Sequence, residues 1–83
     1  MNKIMVDIEV PIAQRVFEVL LPAHLCGFEI LSLVIKLVVE LTDGIFMESD
    51  ETILCGKEDG SILDLNVPIW MSGIKNGDRL VLI

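Results

Sequence analysis

The sequence predicts an α+β fold, a mixed sheet of four to five strands with one helix packed across one face, and three observations predict it. Ile4, Val6, Ile8 and Val10 alternate strictly with Met5, Asp7 and Glu9, the period of two that marks a half-buried strand. Glu29, Ser32, Lys36 and Glu40 recur at spacings of three and four through an otherwise apolar run, a pattern that only a helix accommodates. The final residues, Gly73 to Ile83, read as a tight turn over Asn76-Gly77-Asp78 that feeds a strand. Leu80 to Ile83 then offer apolar side chains to both faces, as the middle strand of a covered sheet must.

Between these anchors the elements follow in order. Pro11-Ile12-Ala13-Gln14 makes a short connection, after which Phe17, Val19 and Leu21 face inward and Glu18 outward, so the first two strands form a hairpin. Pro22 ends the second strand, and the helix runs from Phe28 to Leu41. Thr42-Asp43-Gly44 stops it, with Gly44 able to take the left-handed conformation that closes a helix. Thr52 to Cys55 is a short strand and Ile62 to Leu65 a brief edge strand or extended segment. Pro68 to Ser72 is a 3₁₀ or irregular turn that plugs the core with Ile69 and Trp70. With a single long helix, this order predicts a β-grasp sheet whose first and last strands run parallel in the centre; a ferredoxin-like sheet would need a second helix.

At 83 residues the chain holds one domain, spanning residues 1–83, which buries only roughly 60–65% of its unfolded surface. Its 53% hydrophobic content and mean hydropathy of +0.69 are high for so small a domain, which points to a surface covered by a partner. Six basic residues against thirteen acidic ones give a formal charge of −7; phosphate backbones are repelled, nucleic acid is excluded as a partner, and a charged partner is basic. The most apolar window, Phe28 to Leu41, carries Glu29, Lys36 and Glu40 and falls short of the roughly twenty apolar residues of a membrane span. Asp7 and Glu9 interrupt what a secretory signal would need, so the expected location is the cytoplasm. Cys26 and Cys55 lie in apolar surroundings and are expected as buried free thiols.

Leu21-Pro22-Ala23-His24-Leu25 leading into a Leu/Ile/Val-rich helix, together with Gly73-Ile74-Lys75-Asn76-Gly77-Asp78-Arg79-Leu80 near the end, resembles the YukD/EsaB family of ubiquitin-like proteins associated with type VII secretion in Gram-positive bacteria. The resemblance implies a cytoplasmic, non-enzymatic accessory or regulatory protein that docks on a membrane-associated secretion component. Conjugation or sulfur transfer by a β-grasp carrier needs a flexible Gly-Gly tail, whereas Leu82-Ile83 lies in the predicted strand. The expectation is therefore an unconjugated module. The alternative is a sulfur-transfer or ubiquitin-type carrier with a lost or altered tail.

On a helical wheel the four polar positions fill only about 80° of arc. Ile30, Leu31, Val34, Val38 and Leu41 form a core-facing stripe, which leaves Leu33 and Leu37 on one flank and Phe28, Ile35 and Val39 on the other. Loops around Met47 and Trp70 cover those flanks, or a second copy or another protein does. The candidate interface residues are Phe28, Leu33, Ile35, Leu37, Val39 and Trp70. Asp43, Glu48, Asp50 and Glu51, with Glu58, Asp59 and Asp64, read as solvated loop charges without calcium-loop spacing. A zinc site needs more ligands than Cys26, Cys55 and His24. His24 is a surface or capping residue with no nucleophile and orienting acid at a recognised spacing. No catalytic residue, metal or cofactor is assigned.

Overall fold

The computed structural model describes residues 2–83. Strands β1 (Lys3–Val10) and β2 (Arg15–Pro22) form a hairpin, helix α1 spans Gly27–Leu41, and β3 (Leu54–Gly56) and β4 (Arg79–Leu82) complete a sheet in the order β2-β1-β4-β3. β1 and β4 pair in parallel at the centre, with Ile8 opposite Leu80; the other pairs are antiparallel. This is the β-grasp arrangement that the element order predicts. The hairpin closes on a 3₁₀ turn, Pro11–Ala13, whose following residue Gln14 adopts φ 53°.

Alternation decides which face is buried. Val6, Ile8 and Val10 of β1, Leu21 of β2, and Leu80 and Leu82 of β4 point to one side. There they meet Ile30, Val34, Ile35 and Val38 of α1, with Phe46, Leu54, Leu63 and Ile69 closing the ends. Glu29 holds the start of the helix, its Oε1 accepting the Cys26 N–H at 3.0 Å, half of a capping box. Past the end, Asp43 and Gly44 both take positive φ, 51° and 81°. Thr42 Oγ1 donates to the Val38 carbonyl at 2.8 Å and accepts the Phe46 N–H at 3.1 Å. That relay turns the chain back and delivers Phe46 to the core.

Several expectations are corrected. The buried stripe of the helix is rotated toward its Ile35 side: Ile35 is buried, whereas Leu41, placed in the core by spacing, is 41% exposed in the last turn, where Arg15 Nη1 reaches its carbonyl. Trp70 does not plug the core. The 3₁₀ turn Ile69–Met71 buries Ile69 completely and leaves Trp70 62% exposed, because neighbouring residues of one short turn cannot share a face. In the loop around Met47, Met47 itself is exposed and its neighbour Phe46 is the side chain that packs into the core. The third strand is Leu54–Gly56 rather than Thr52–Cys55, and the Ile62 to Leu65 segment contributes only a bridge between Ile62 and Cys55. The sheet is covered on one face only, so Val81 is half-buried and Ile83 largely exposed. Both cysteines are free and half-buried.

Candidate functional site

Among the described residues, exposed apolar side chains recur on α1 and on the open face of the sheet, and each set follows from a periodicity. On α1, Phe28 and Leu33 are exposed, Leu37 and Val39 half-buried, and Ile35 buried. Phe28 and Leu33 stand about 140° apart around the axis, so they belong to different flanks. Phe28 starts the helix beside the 65–67 segment, its N–H donating to the Leu65 carbonyl at 3.1 Å. Trp70 lies off the helix, its N–H bonded to the Ala23 carbonyl at 3.1 Å. The six predicted residues are therefore not one patch. Ile35 leaves the set as a core residue.

The second region is the open face of the sheet, where Met5 pairs with Leu20, Asp7 with Glu18 and Glu9 with Val16. Val81 stands beside Glu9 and Cys55, and Ile62 opposite Cys55. Two ion pairs cross this face: Lys57 Nζ to Glu9 Oε2 at 3.1 Å and Arg79 Nη2 to Asp7 Oδ2 at 3.6 Å. They neutralise its centre and leave Met5, Leu20 and Val16 as exposed apolar side chains. The alternation already puts Met5 outward with Asp7 and Glu9, and Val16 and Leu20 share parity with the outward Glu18, but none of the three is among the candidate interface residues named from the sequence.

Polar chemistry on the molecule is local. Asp59 Oδ1 accepts the Ser61 N–H at 3.0 Å and the Ser61 hydroxyl at 2.9 Å, which holds the Asp59 carboxyl below its ordinary value. Asp78 Oδ2 accepts the Lys75 N–H and Asp64 Oδ1 the Asn66 N–H, so these carboxylates shape turns. His24 is exposed. Among the described residues no His, Cys, Asp and Glu side chains group closely enough to hold a metal ion, and no helix is long and apolar enough to cross a membrane.

No protein-family model matches the chain, and no curated protein matches it. Solved structures do. The EccD5 ubiquitin-like domain from Mycobacterium xenopi superposes with TM-score 0.82 at 24% identity, covering 100% of this chain and 94% of that one. The ubiquitin-like domain of the Mycobacterium tuberculosis type VII secretion system protein EccD1 superposes with TM-score 0.77 at 16% identity, covering 100% and 99%. A chain of the MycP5-free ESX-5 inner membrane complex gives TM-score 0.80 at 19% identity, with all of this chain matching 21% of that one. These likenesses establish the ubiquitin-like fold.

Proposed function

We propose that this chain is a non-enzymatic ubiquitin-like module that assists or regulates a type VII secretion system, as the YukD/EsaB resemblance implies, and that it works in the cytoplasm by docking on a membrane-embedded component. The observation that carries the reading is the full-length superposition, at TM-score 0.82, on the ubiquitin-like domain of EccD5. It is supported by the comparable match to a segment of the ESX-5 inner membrane complex. The surface chemistry fits: exposed aromatic and aliphatic side chains ringed by charges are how a small rigid domain binds another protein. Phe28 and Leu33, one on each flank of α1, and Leu20 on the sheet are the exposed anchors.

The test is co-purification from detergent-solubilised membranes of the source bacterium, with captured proteins identified by mass spectrometry. The wild-type chain should bring down a type VII membrane subunit. A Leu33→Glu variant with unchanged circular dichroism should lose it if that flank docks, and a Leu20→Glu variant should lose it if the sheet face does. Recovery of the chain only as an adenylate, thiocarboxylate or covalent adduct would overturn the reading in favour of a carrier.

A further inference from the structure

Hydrogen-bond parity leaves β2 with a bare outer edge. The N–H groups of Asp7 and Gly77 donate to the carbonyls of Asp78 and Met5, and Met5 N–H donates to Asn76 Oδ1, so the odd residues of β1 face β4. The even residues of β1 therefore face β2, where they meet Arg15, Phe17, Val19 and Leu21; the Ala23 N–H to Asn2 carbonyl bond at 3.1 Å continues the same ladder. Alternation then directs the backbone N–H and C=O of Val16, Glu18 and Leu20 away from the sheet. Among the described residues nothing bonds those three N–H groups. β3, at the opposite edge, is covered by the Ile62 and Leu63 segment, whose Leu63 N–H bonds the Leu54 carbonyl at 2.9 Å.

An uncovered eight-residue edge is a template for another strand, and the side chains along it say which. The three residues with free backbone groups also present their side chains on the open face in the order Val16, Glu18, Leu20, apolar, acidic, apolar. Across the sheet, Glu18 has Asp7 beside it, and Asp7 is paired with Arg79. The row thus runs cation, anion, anion toward the edge, and a cation on an added strand would complete it.

A second copy of this chain is a poor occupant. Antiparallel pairing of two β2 edges that matches Val16 with Leu20 of the second copy places Glu18 directly opposite Glu18 of that copy, and like charges so placed repel. The two neighbouring registers only move these carboxylates to a diagonal about 7–8 Å apart.

We propose that the β2 edge receives an extended basic segment of a partner protein. That segment adds antiparallel to β2, with a Lys or Arg opposite Glu18 and apolar residues opposite Val16 and Leu20. The proposal rests on the reading of the chain as a docking module and names the chemistry of what it docks. Main-chain hydrogen bonds from Val16, Glu18 and Leu20 supply the affinity, and the charge at Glu18 selects the partner and sets its register.

The test uses the full chain and two synthetic nine-residue peptides with centres Val-Thr-Lys-Thr-Val and Val-Thr-Glu-Thr-Val, followed by ¹H–¹⁵N correlation spectra and amide exchange. The Lys peptide should shift the Val16, Glu18 and Leu20 amides and slow their exchange with solvent, and should bind about fivefold or more tighter than its Glu twin. Glu18→Lys should reverse that preference. Should this variant fold poorly, the two peptides against the wild-type chain decide alone. Equal binding of the twins, shifts confined to α1, absence of binding, or a neutral-pH dimer joined through β2 would overturn the proposal. Because no secretion component enters this experiment, its failure leaves the secretion reading standing, and a failed membrane co-purification leaves the edge assignment standing.

Discussion

Ile53 and Ile83 exchange both backbone hydrogen bonds, the Ile53 N–H donating to the Ile83 carbonyl at 2.8 Å and the Ile83 N–H to the Ile53 carbonyl at 3.0 Å. This step extends the β3–β4 ladder past Leu54 and Leu82. Ile53→Pro removes a donor from a paired position and should cost about 1–3 kcal/mol, whereas Ile53→Val, which keeps it, should cost about 1 kcal/mol or less. Urea unfolding at neutral pH checks the pair; equal, small losses would mean that this end of the ladder frays.

Gly27 opens α1, where a helix ordinarily gains up to about 1 kcal/mol from alanine. Here a Cβ would run into the Asp64 carbonyl and come within 2.9 Å of Leu65 Cα, both backbone atoms that cannot swing aside. The clash outweighs the propensity gain, so Gly27→Ala should destabilise the domain by about 1–3 kcal/mol. Thermal denaturation giving a higher midpoint for the variant would contradict this packing.

The fold separates two candidate interface residues only two positions apart on α1, Ile35 and Leu33, which are 6% and 43% exposed. Ile35→Ala should cost about 2–5 kcal/mol by leaving a cavity, whereas Leu33→Ala should change stability by about 1 kcal/mol or less. Similar losses for both would mean that Leu33 is covered in solution by another molecule or by the chain itself.

Asp59 is a carboxylate whose charge is favoured by its own turn. Hydrogen bonds from the Ser61 N–H and hydroxyl favour its ionised form, so its folded value lies below the ordinary one. Their contribution to stability is complete above the unfolded aspartate value of about 3.9 and is lost as the pH falls through the lower folded value. Carbon-13 titration of the Asp59 carboxyl should show the depressed midpoint, and Ser61→Ala should bring it back toward the ordinary range.

The elements that could be read from the sequence were those whose burial is periodic. Val6, Ile8 and Val10 against Asp7 and Glu9 specify β1 and its face, and the Glu29, Ser32, Lys36, Glu40 spacing specifies α1 to within a residue. The element order then gave the parallel pairing of β1 with β4. Where periodicity ends, legibility ends. Which of Ile69 and Trp70 turns inward depends on a 3₁₀ turn docked by main-chain bonds to Ala23 and Leu25, partners more than 40 residues away in sequence. The rotation of the helix puts Ile35 in one core cluster with Phe46, which follows a turn shaped by the Phe46 N–H bond to Thr42 Oγ1, and no periodicity encodes that turn. The open edge of β2 was not read from the sequence: parity groups Val16, Glu18 and Leu20 on one face, but only the hydrogen-bond ladder shows which backbone groups are left unpaired.

The parallel β1–β4 pairing sets the order in which this molecule can assemble. β1 meets its central neighbour only after Arg79, Leu80 and Val81 are available, and Met5 N–H waits for Asn76, 71 positions later. On a ribosome the hairpin and helix can form early, while the inner edge of β1 stays without its mate until Arg79–Leu82 has emerged. Contacts this distant along the chain slow folding, and a nascent apolar strand left open in the meantime is exposed to aggregation.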